Sequence, residues 1–291
     1  MKIVAAVNNK GGVGKTTLSK LMTEYFSIIQ KKRVLAVDLD HQCNFSNRFI
    51  KMEIDTTETE GKLPPIHNNY DPTTAENNWD GRSSIADIFF GQIVYPYPTS
   101  IPNVEILPAN SSKLLLAESV RRSEVIEKVH ECLNRFLSLD EVKESYDIII
   151  IDTPPSKGPL TVGVIKAATD IIIPSTMEPQ PIEGIYGMLQ LWKQEQLRRS
   201  GNNQLKLIGI LPNMFNKTSN LHEDFLKALK NNSAISEYVI PAVIGRRMVF
   251  AEVDAEGARP PSIFDLPDSN IAKQEVLQVC NIINKRVYDD K

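Results

Sequence analysis

Lys10-Gly11-Gly12-Val13-Gly14-Lys15-Thr16-Thr17 is the stretch of this 291-residue chain whose residue types and spacing could do chemistry. Three glycines let a backbone curl until successive N–H groups point inward and cradle an anion. Lys15 would then reach the β- and γ-phosphates of a nucleotide, and the Thr16 hydroxyl would complete the shell of a Mg²⁺ ion. Asn9 stands where the usual phosphate-loop pattern begins with glycine, and Lys10 adds a second ammonium group beside it. Lys10 is poorly placed to fold back onto its own loop, so it could reach a nucleotide held by another subunit.

Carboxylates follow two apolar runs. Ile148-Ile149-Ile150-Ile151 has no alternation, so it reads as a strand buried on both faces, as in a parallel sheet covered by helices. Asp152 at its carboxyl end is placed to hold Mg²⁺ directly or through water; a cap on the strand exit is the plainer alternative. Val34-Leu35-Ala36-Val37 reads as a second buried strand and finishes in Asp38-Leu39-Asp40. Ligands of open α/β sheets sit beyond the carboxyl ends of strands, so both aspartates should face the phosphate loop. A carboxylate there can orient the water that attacks the γ-phosphate, steady the metal's water shell, or only cap the strand.

The loop itself needs a strand before it and a helix after it. Ile3-Val4-Ala5-Ala6-Val7 supplies the strand, and Leu18, Leu21, Met22, Tyr25, Phe26 and Ile29 recur at helical spacing. Lys31-Lys32-Arg33 ends that helix with cations where its dipole favours them. Further strands are expected at 104–107, 170–174, 207–211 and 238–241, and a short amphipathic helix at 84–90. One long helical pattern runs through Leu114, Val125, Val129, Leu133 and Phe136. A last helix carries Ala272, Val276, Val279, Ile283 and Val287 as core, with Cys280 a buried thiol beside them. From about 55 to 81, turn chemistry replaces periodicity: Thr56-Thr57-Glu58-Thr59-Glu60-Gly61, Pro64-Pro65 and Asn68-Asn69-Tyr70-Asp71-Pro72. Tyr70 and Trp79 either anchor this segment to the body or form a partner surface. The expected architecture is a single α/β domain over 1–291, a doubly wound, mostly parallel sheet with helices on both faces and a loop insertion at 55–81.

The run K-G-G-V-G-K-T-T resembles the deviant Walker A motif of the ParA/MinD family of dimerising ATPases. The resemblance implies an ATP sandwich dimer in which Lys10 contacts the partner's nucleotide and stabilises the transferring charge. Hydrolysis would be weak and partner-stimulated. D-L-D-x-Q-x-N at 38–44 is similar to the family's switch I, which makes Asp40 the water-positioning residue. His41 stands where the family usually has proline, and Cys43 where it has a small residue. D-T-P-P-S at 152–156 resembles its Walker B and switch II, and 177–184 is similar to a segment that packs near the dimer interface. Loops such as Pro212-Asn213-Met214 lie against adenine in the family, so Asn213 is a base-edge candidate, though equally an ordinary turn residue. The segment after Pro241 resembles the family's I-P-x-x-x-x-x-x-E-A stretch and carries Arg246 and Arg247. That pair is either a solvated face or a DNA phosphate contact. The implied function is non-specific DNA binding by an ATP-dependent homodimer that drives plasmid or chromosome segregation with a ParB-like centromere-binding partner. With no helix-turn-helix ahead of residue 10, it would be the short form. Positioning of a protein cargo uses the same motifs and is the close alternative.

Composition narrows the field. The formal net charge is −3, so no global basic field advertises nucleic acid and any DNA contact must be local. Cys43, Cys132 and Cys280 are scattered and odd in number, which suits a reducing cytoplasm and supplies no paired ligands for an iron–sulfur cluster. No apolar run approaches the ~18 residues of a membrane helix. The C-terminal end, through Asp289-Asp290-Lys291, finishes acidic, against a MinD-like membrane-cycling helix. The chain is expected to be cytoplasmic, and nucleoid-associated when ATP-bound. His41, His67, His130 and His222 lie in unrelated contexts.

Overall fold

A computed structural model describes every residue except 58–60, 74–78, 200, 202–203, 256 and 290–291. The turn expected at 58–60 and the acidic end at 290–291 lie outside the described residues. The strands are β1 (Lys2–Ala6), β2 (Val34–Asp38), β3 (Glu53–Asp55), β4 (Gly61–Leu63), β5 (Tyr97–Pro98), β6 (Val104–Leu107), β7 (Ile148–Asp152), β8 (Asp170–Ser175) and β9 (Lys206–Pro212). Seven of them form one sheet in the order β5-β6-β2-β7-β1-β8-β9. All its pairs are parallel except the β5–β6 edge, and β3 and β4 pair separately as an antiparallel ribbon.

The run of isoleucines in β7 divides evenly between two cores. Ile149 and Ile151 join Leu35 and Val37 on one side, while Ile148 and Ile150 join Val34 and Ala36 on the other. A strand covered on both faces needs no polar alternation. The helices that cover it are α1 (Lys15–Glu24), α2 (Ser111–Ser119), α3 (Ser123–Ser138), α4 (Asp140–Ser145), α5 (Pro159–Ala167), α6 (Pro179–Arg198), α7 (Asn220–Asn231), α8 (Val249–Glu252) and α9 (Ile271–Tyr288). Leu18, Leu21 and Met22 of α1 share one core with Val276, Val279 and Ile283 of α9. Leu114 of α2, Leu133 of α3, Val164 of α5 and Ile185 of α6 fill the other. The sheet is thus the doubly wound, mostly parallel one expected.

Several expectations need correction in detail. The helix after the loop passes into a π-helical turn at Tyr25–Ile29, and this change of phase turns Ile29 outward to 42% exposure. The long helical pattern is two helices, because Val120 is extended and breaks α2 from α3; Val125 is exposed. The turn at Ile85–Phe90 is a 3-10 helix, closed at its start by a capping box between Ser84 and Asp87 and at its end by Gly91 at φ 73°. The strand expected at 238–241 is a single bridge of Val239 to Ile210, with Ile240 N donating to Ile210 O at 2.9 Å. Pro241 has no N–H with which to carry the ladder on. In the 55–81 stretch Tyr70 and Trp79 anchor rather than project. Trp79 meets the rings of Tyr70, Tyr95 and His67, and His67 in turn meets Tyr97 of β5.

The carboxyl ends of β1, β2, β7 and β8 lie side by side. Ala6 pairs in register with Asp152 and with Ile172, and Asp38 pairs with Asp152.

Candidate nucleotide site

The chain leaves β1, makes the glycine turn and enters α1. Gly12 and Gly14 have φ of 70° and 82°, a region that costs other residues strain. A Cβ on Gly14 would also stand 2.3 Å from Asn213 Nδ2, so side chain and backbone both require glycine there. Asn8 pins the start of the turn: its Nδ2 donates to Pro174 O of β8 at 2.9 Å, and its Oδ1 accepts from Lys10 N at 3.0 Å. Asn213 pins the other side by donating Nδ2 to Val13 O at 2.8 Å. One of the two N–H donors of its amide is therefore spent on the loop. Val13 is buried, Gly11 and Gly12 are exposed, and Thr17 is half-buried at the start of α1.

Lys15 is buried, with Nζ donating to Lys10 O at 3.0 Å. Burial lowers its pKa, against the pull of Asp152 and Asp40 in the other direction. Thr16 Oγ1 donates to Asp152 Oδ2 at 2.7 Å, and Ser19 Oγ, one turn further on, donates to Asp152 Oδ1 at 3.0 Å. Asp152 is fully buried. Burial, with the charge of Asp40 nearby, pushes its pKa up to about 6, against the Thr16 hydroxyl, Lys15 and Ser19, which pull it down. Asp38, equally buried, is pushed up to about 8 by burial and by the charge of Asp152.

Asp38 does not face the phosphate loop as expected. Its Oδ1 accepts from Asp40 N at 3.0 Å, and its Oδ2 accepts from Ser46 N at 2.8 Å and Ser46 Oγ at 2.7 Å. It shapes the turn that carries Asp40. Asp40 Oδ1 accepts from Gln42 N at 3.0 Å and lies 3.6 Å from His41 Nδ1. Cys43 adopts φ 55°, is buried, and lies 3.3 Å from Ser111 Oγ; burial pushes the thiol up to about 12.

Two fully buried neighbouring carboxylates with raised pKa values are a setting that a divalent cation would relieve. Among the described residues no three His, Cys, Asp or Glu side chains form a metal cage. The donor set fits Mg²⁺ in its usual habit, with one hydroxyl and one carboxylate from the protein and the remaining positions filled by phosphate and water.

Lys10 lines a cavity of about 660 Å³ with Gly11, Gly12, Glu178, Met214 and Arg246. The two arginines are thereby separated. Arg246 opens toward the phosphate loop, while Arg247 donates Nε to Glu275 Oε2 at 3.1 Å and Nη2 to Oε1 at 2.8 Å. Arg247 is thus not a free cation: two of its nitrogens hold Glu275 of α9. Gly184 of α6 lets the loop close, since a Cβ there would meet Asn8 Oδ1 at 2.6 Å and Asn9 Oδ1 at 2.8 Å. Asn8, Ser19 and Ser46 escaped the sequence reading, and Gly184 entered it only as the end of the 177–184 segment. Only Ser19 carried a signal, three positions beyond Thr16 on the same helix face.

Residues 1–207 match a family model described as an AAA domain, AAA_31. The sporulation initiation inhibitor protein Soj of Bacillus subtilis is 29% identical over 264 residues, covering 91% of both chains. The chromosome-partitioning ATPase Soj of Thermus thermophilus is 26% identical, over 87% of this chain and 85% of its own. Among solved structures, a McdA variant of Cyanothece in complex with ATP superposes with a TM-score of 0.72 at 16% identity, covering 100% of this chain and 98% of that one. Cobyrinic acid a,c-diamide synthase of Mycobacterium smegmatis, with bound ATP analogue and magnesium, gives 0.69 at 21% identity, over 100% and 97%.

Proposed function

The chain belongs to this AAA domain family as a ParA-type ATPase, and on that premise we propose that it is a MgATP-switched dimer that segregates DNA. The observation that carries the ATP site is the pair of hydroxyls, Thr16 and Ser19, converging on buried Asp152 one turn beyond Lys15. Thr16 and Asp152 would hold Mg²⁺, which when bound draws charge from the phosphate oxygens. The backbone of Gly11 to Thr17 cradles the phosphates, and Lys15 leaves Lys10 O to meet them. Asp40, set by Asp38 and the Gln42 amide, orients the attacking water. Lys10 acts in trans on the partner's nucleotide. A cation delivered only on dimerisation would contribute ~10³–10⁵ in rate, as an arginine finger does.

The whole chain works as a single domain, with the 55–81 insertion tied to its β5 edge. In the ATP-bound dimer Arg246 adds to a non-specific DNA surface, and a ParB-like partner stimulates hydrolysis and releases the DNA. Doubling a small set of phosphate contacts on dimerisation would double a salt slope of about −0.9 per contact, so ATP converts weak binding into useful binding. Among the described residues no helix is long and apolar enough to cross a membrane. The commitment of Arg247 to Glu275 and the net charge of −3 favour a second reading, in which the cargo is a protein. Filter binding of DNA with ATP, ADP and no nucleotide at two salt concentrations separates them. Binding that requires ATP and weakens with salt supports DNA segregation; binding that ignores nucleotide defeats it.

A further inference from the structure

The proposed ATP machinery leaves one buried charge cluster unused. Asp254, just beyond α8, has a side chain 8% exposed and is held by two cations from different elements. Its Oδ1 lies 2.5 Å from Lys20 Nζ, and its Oδ2 pairs with Arg48 Nη1. Lys20 sits on α1, the helix that begins with Lys15, and also meets Glu24 Oε1 at 3.3 Å. Glu24 Oε2 accepts from Ser262 Oγ at 2.8 Å. The α1 side of the cluster is therefore fixed.

Arg48 is different. It closes the 3-10 turn Ser46–Arg48, and Ser46 holds Asp38 Oδ2 through both its amide and its hydroxyl. Asp38 in turn holds Asp40 N. A continuous chain thus runs from Lys20 and Asp254 through Arg48, Ser46 and Asp38 to Asp40. All three side chains border a cavity of about 810 Å³, but Arg48 is 27% exposed against 8% for Lys20 and 2% for Glu24, so it is the least enclosed member of the cluster. Asp254 also ends the segment that begins at Arg246.

We propose that Arg48 and Asp254 are positioning residues for Asp40, and that they tie it to the segment from Arg246 to Asp254. This rests on the reading of Asp40 as the water-orienting carboxylate. Two cations from opposite sides fix a carboxylate's place better than one, and the 3-10 turn is too short to transmit slack. Loss of Arg48 leaves Asp254 paired with Lys20, so the fold keeps its buried ion pair while the turn loses its anchor.

The test uses the full chain with Mg²⁺ and ATP. Arg48→Met should speed hydrogen exchange at amides 40–46 by about tenfold, with amides of α1 unchanged. It should lower kcat by about tenfold while KM for ATP stays within about twofold, the pattern of an interaction felt after binding. Arg48→Lys should restore both, since it keeps the charge that Asp254 holds. Should Arg48→Met not fold, Arg48→Gln takes its place with the same expected split. Unchanged exchange at 40–46, or kcat and KM that worsen together, overturns the proposal. An Asp40→Ala variant that turns over normally would remove the role of Asp40 instead, and the exchange result would still decide the tie.

Discussion

Asp38 and Asp152 stand opposite each other in register on adjacent parallel strands, both fully buried. Each makes the other's ionisation harder, and only Asp152 has a lysine beside it. The apoprotein therefore stores a charge problem at the place where a cation-bearing nucleotide would arrive.

That pairing gives a pH dependence with a definite sign. Carboxyls raised on folding stabilise the fold fully below their unfolded pKa of about 4, and that contribution is lost as pH climbs through the folded values. Those values are about 6 for Asp152 and about 8 for Asp38. Between pH 5 and 8 the apoprotein should lose stability relative to Asp38→Asn as pH rises, at a slope of at most about 1.4 kcal/mol per pH unit, the limit for one titrating proton. Thermal melts of both proteins across that range check it; parallel curves would mean that Asp38 titrates as an ordinary carboxylate.

Lys15→Ala should abolish ATP binding. The ammonium would make charge-assisted bonds to two phosphates, so a loss of about 3 kcal/mol or more, roughly a hundredfold in affinity, is expected. Calorimetric titration with MgATP measures it, and near-normal affinity would place the phosphates elsewhere.

Lys10→Ala should bind ATP normally and fail to dimerise. The bond between Lys15 Nζ and Lys10 uses the backbone oxygen, so removing the side chain leaves the cradle intact. Light scattering with ATP distinguishes the cases. Dimers of the variant would end the proposed role in trans.

Gly184→Ala should lower ATP affinity by about tenfold, ~1.4 kcal/mol, although alanine is the better helix former by about 1 kcal/mol. The added methyl meets Asn8, Asn9 and the Lys10 side chain, which form one wall of the loop. An unchanged dissociation constant would show that the loop yields without cost.

The two arginines should separate. Arg247→Ala should lower the melting point, because it strips the bidentate partner from buried Glu275 on α9, a loss of about 1–2 kcal/mol for a mostly buried pair that Lys217 also serves. Arg246→Ala should leave the melting point alone and weaken ATP-dependent DNA binding. A variant pair with identical melts would contradict the assignment.

What the sequence made legible was whatever depends on local pattern. The unbroken isoleucines of β7 announced a strand covered on both faces, and the glycines with Lys15 and Thr16 announced the cradle. What it hid depends on distant partners. Nothing near Arg247 says that Glu275, 28 positions on, will claim it, and nothing near Asp38 says that Ser46 will turn it away from the loop. The helical spacing around Tyr25 gave no warning of a π-turn either, because one extra residue per turn changes phase without changing composition.

The ring nest of the insertion has a practical consequence. The chain has two tryptophans, and they sit in unlike surroundings. Trp192 is buried and donates to Leu205 O, whereas Trp79 meets Tyr70 edge-on and lies tilted against Tyr95 and His67 at the far edge of the sheet. Intrinsic emission therefore contains two separable signals, and replacing Trp192 by phenylalanine would leave a built-in optical gauge of how tightly the insertion grips its edge.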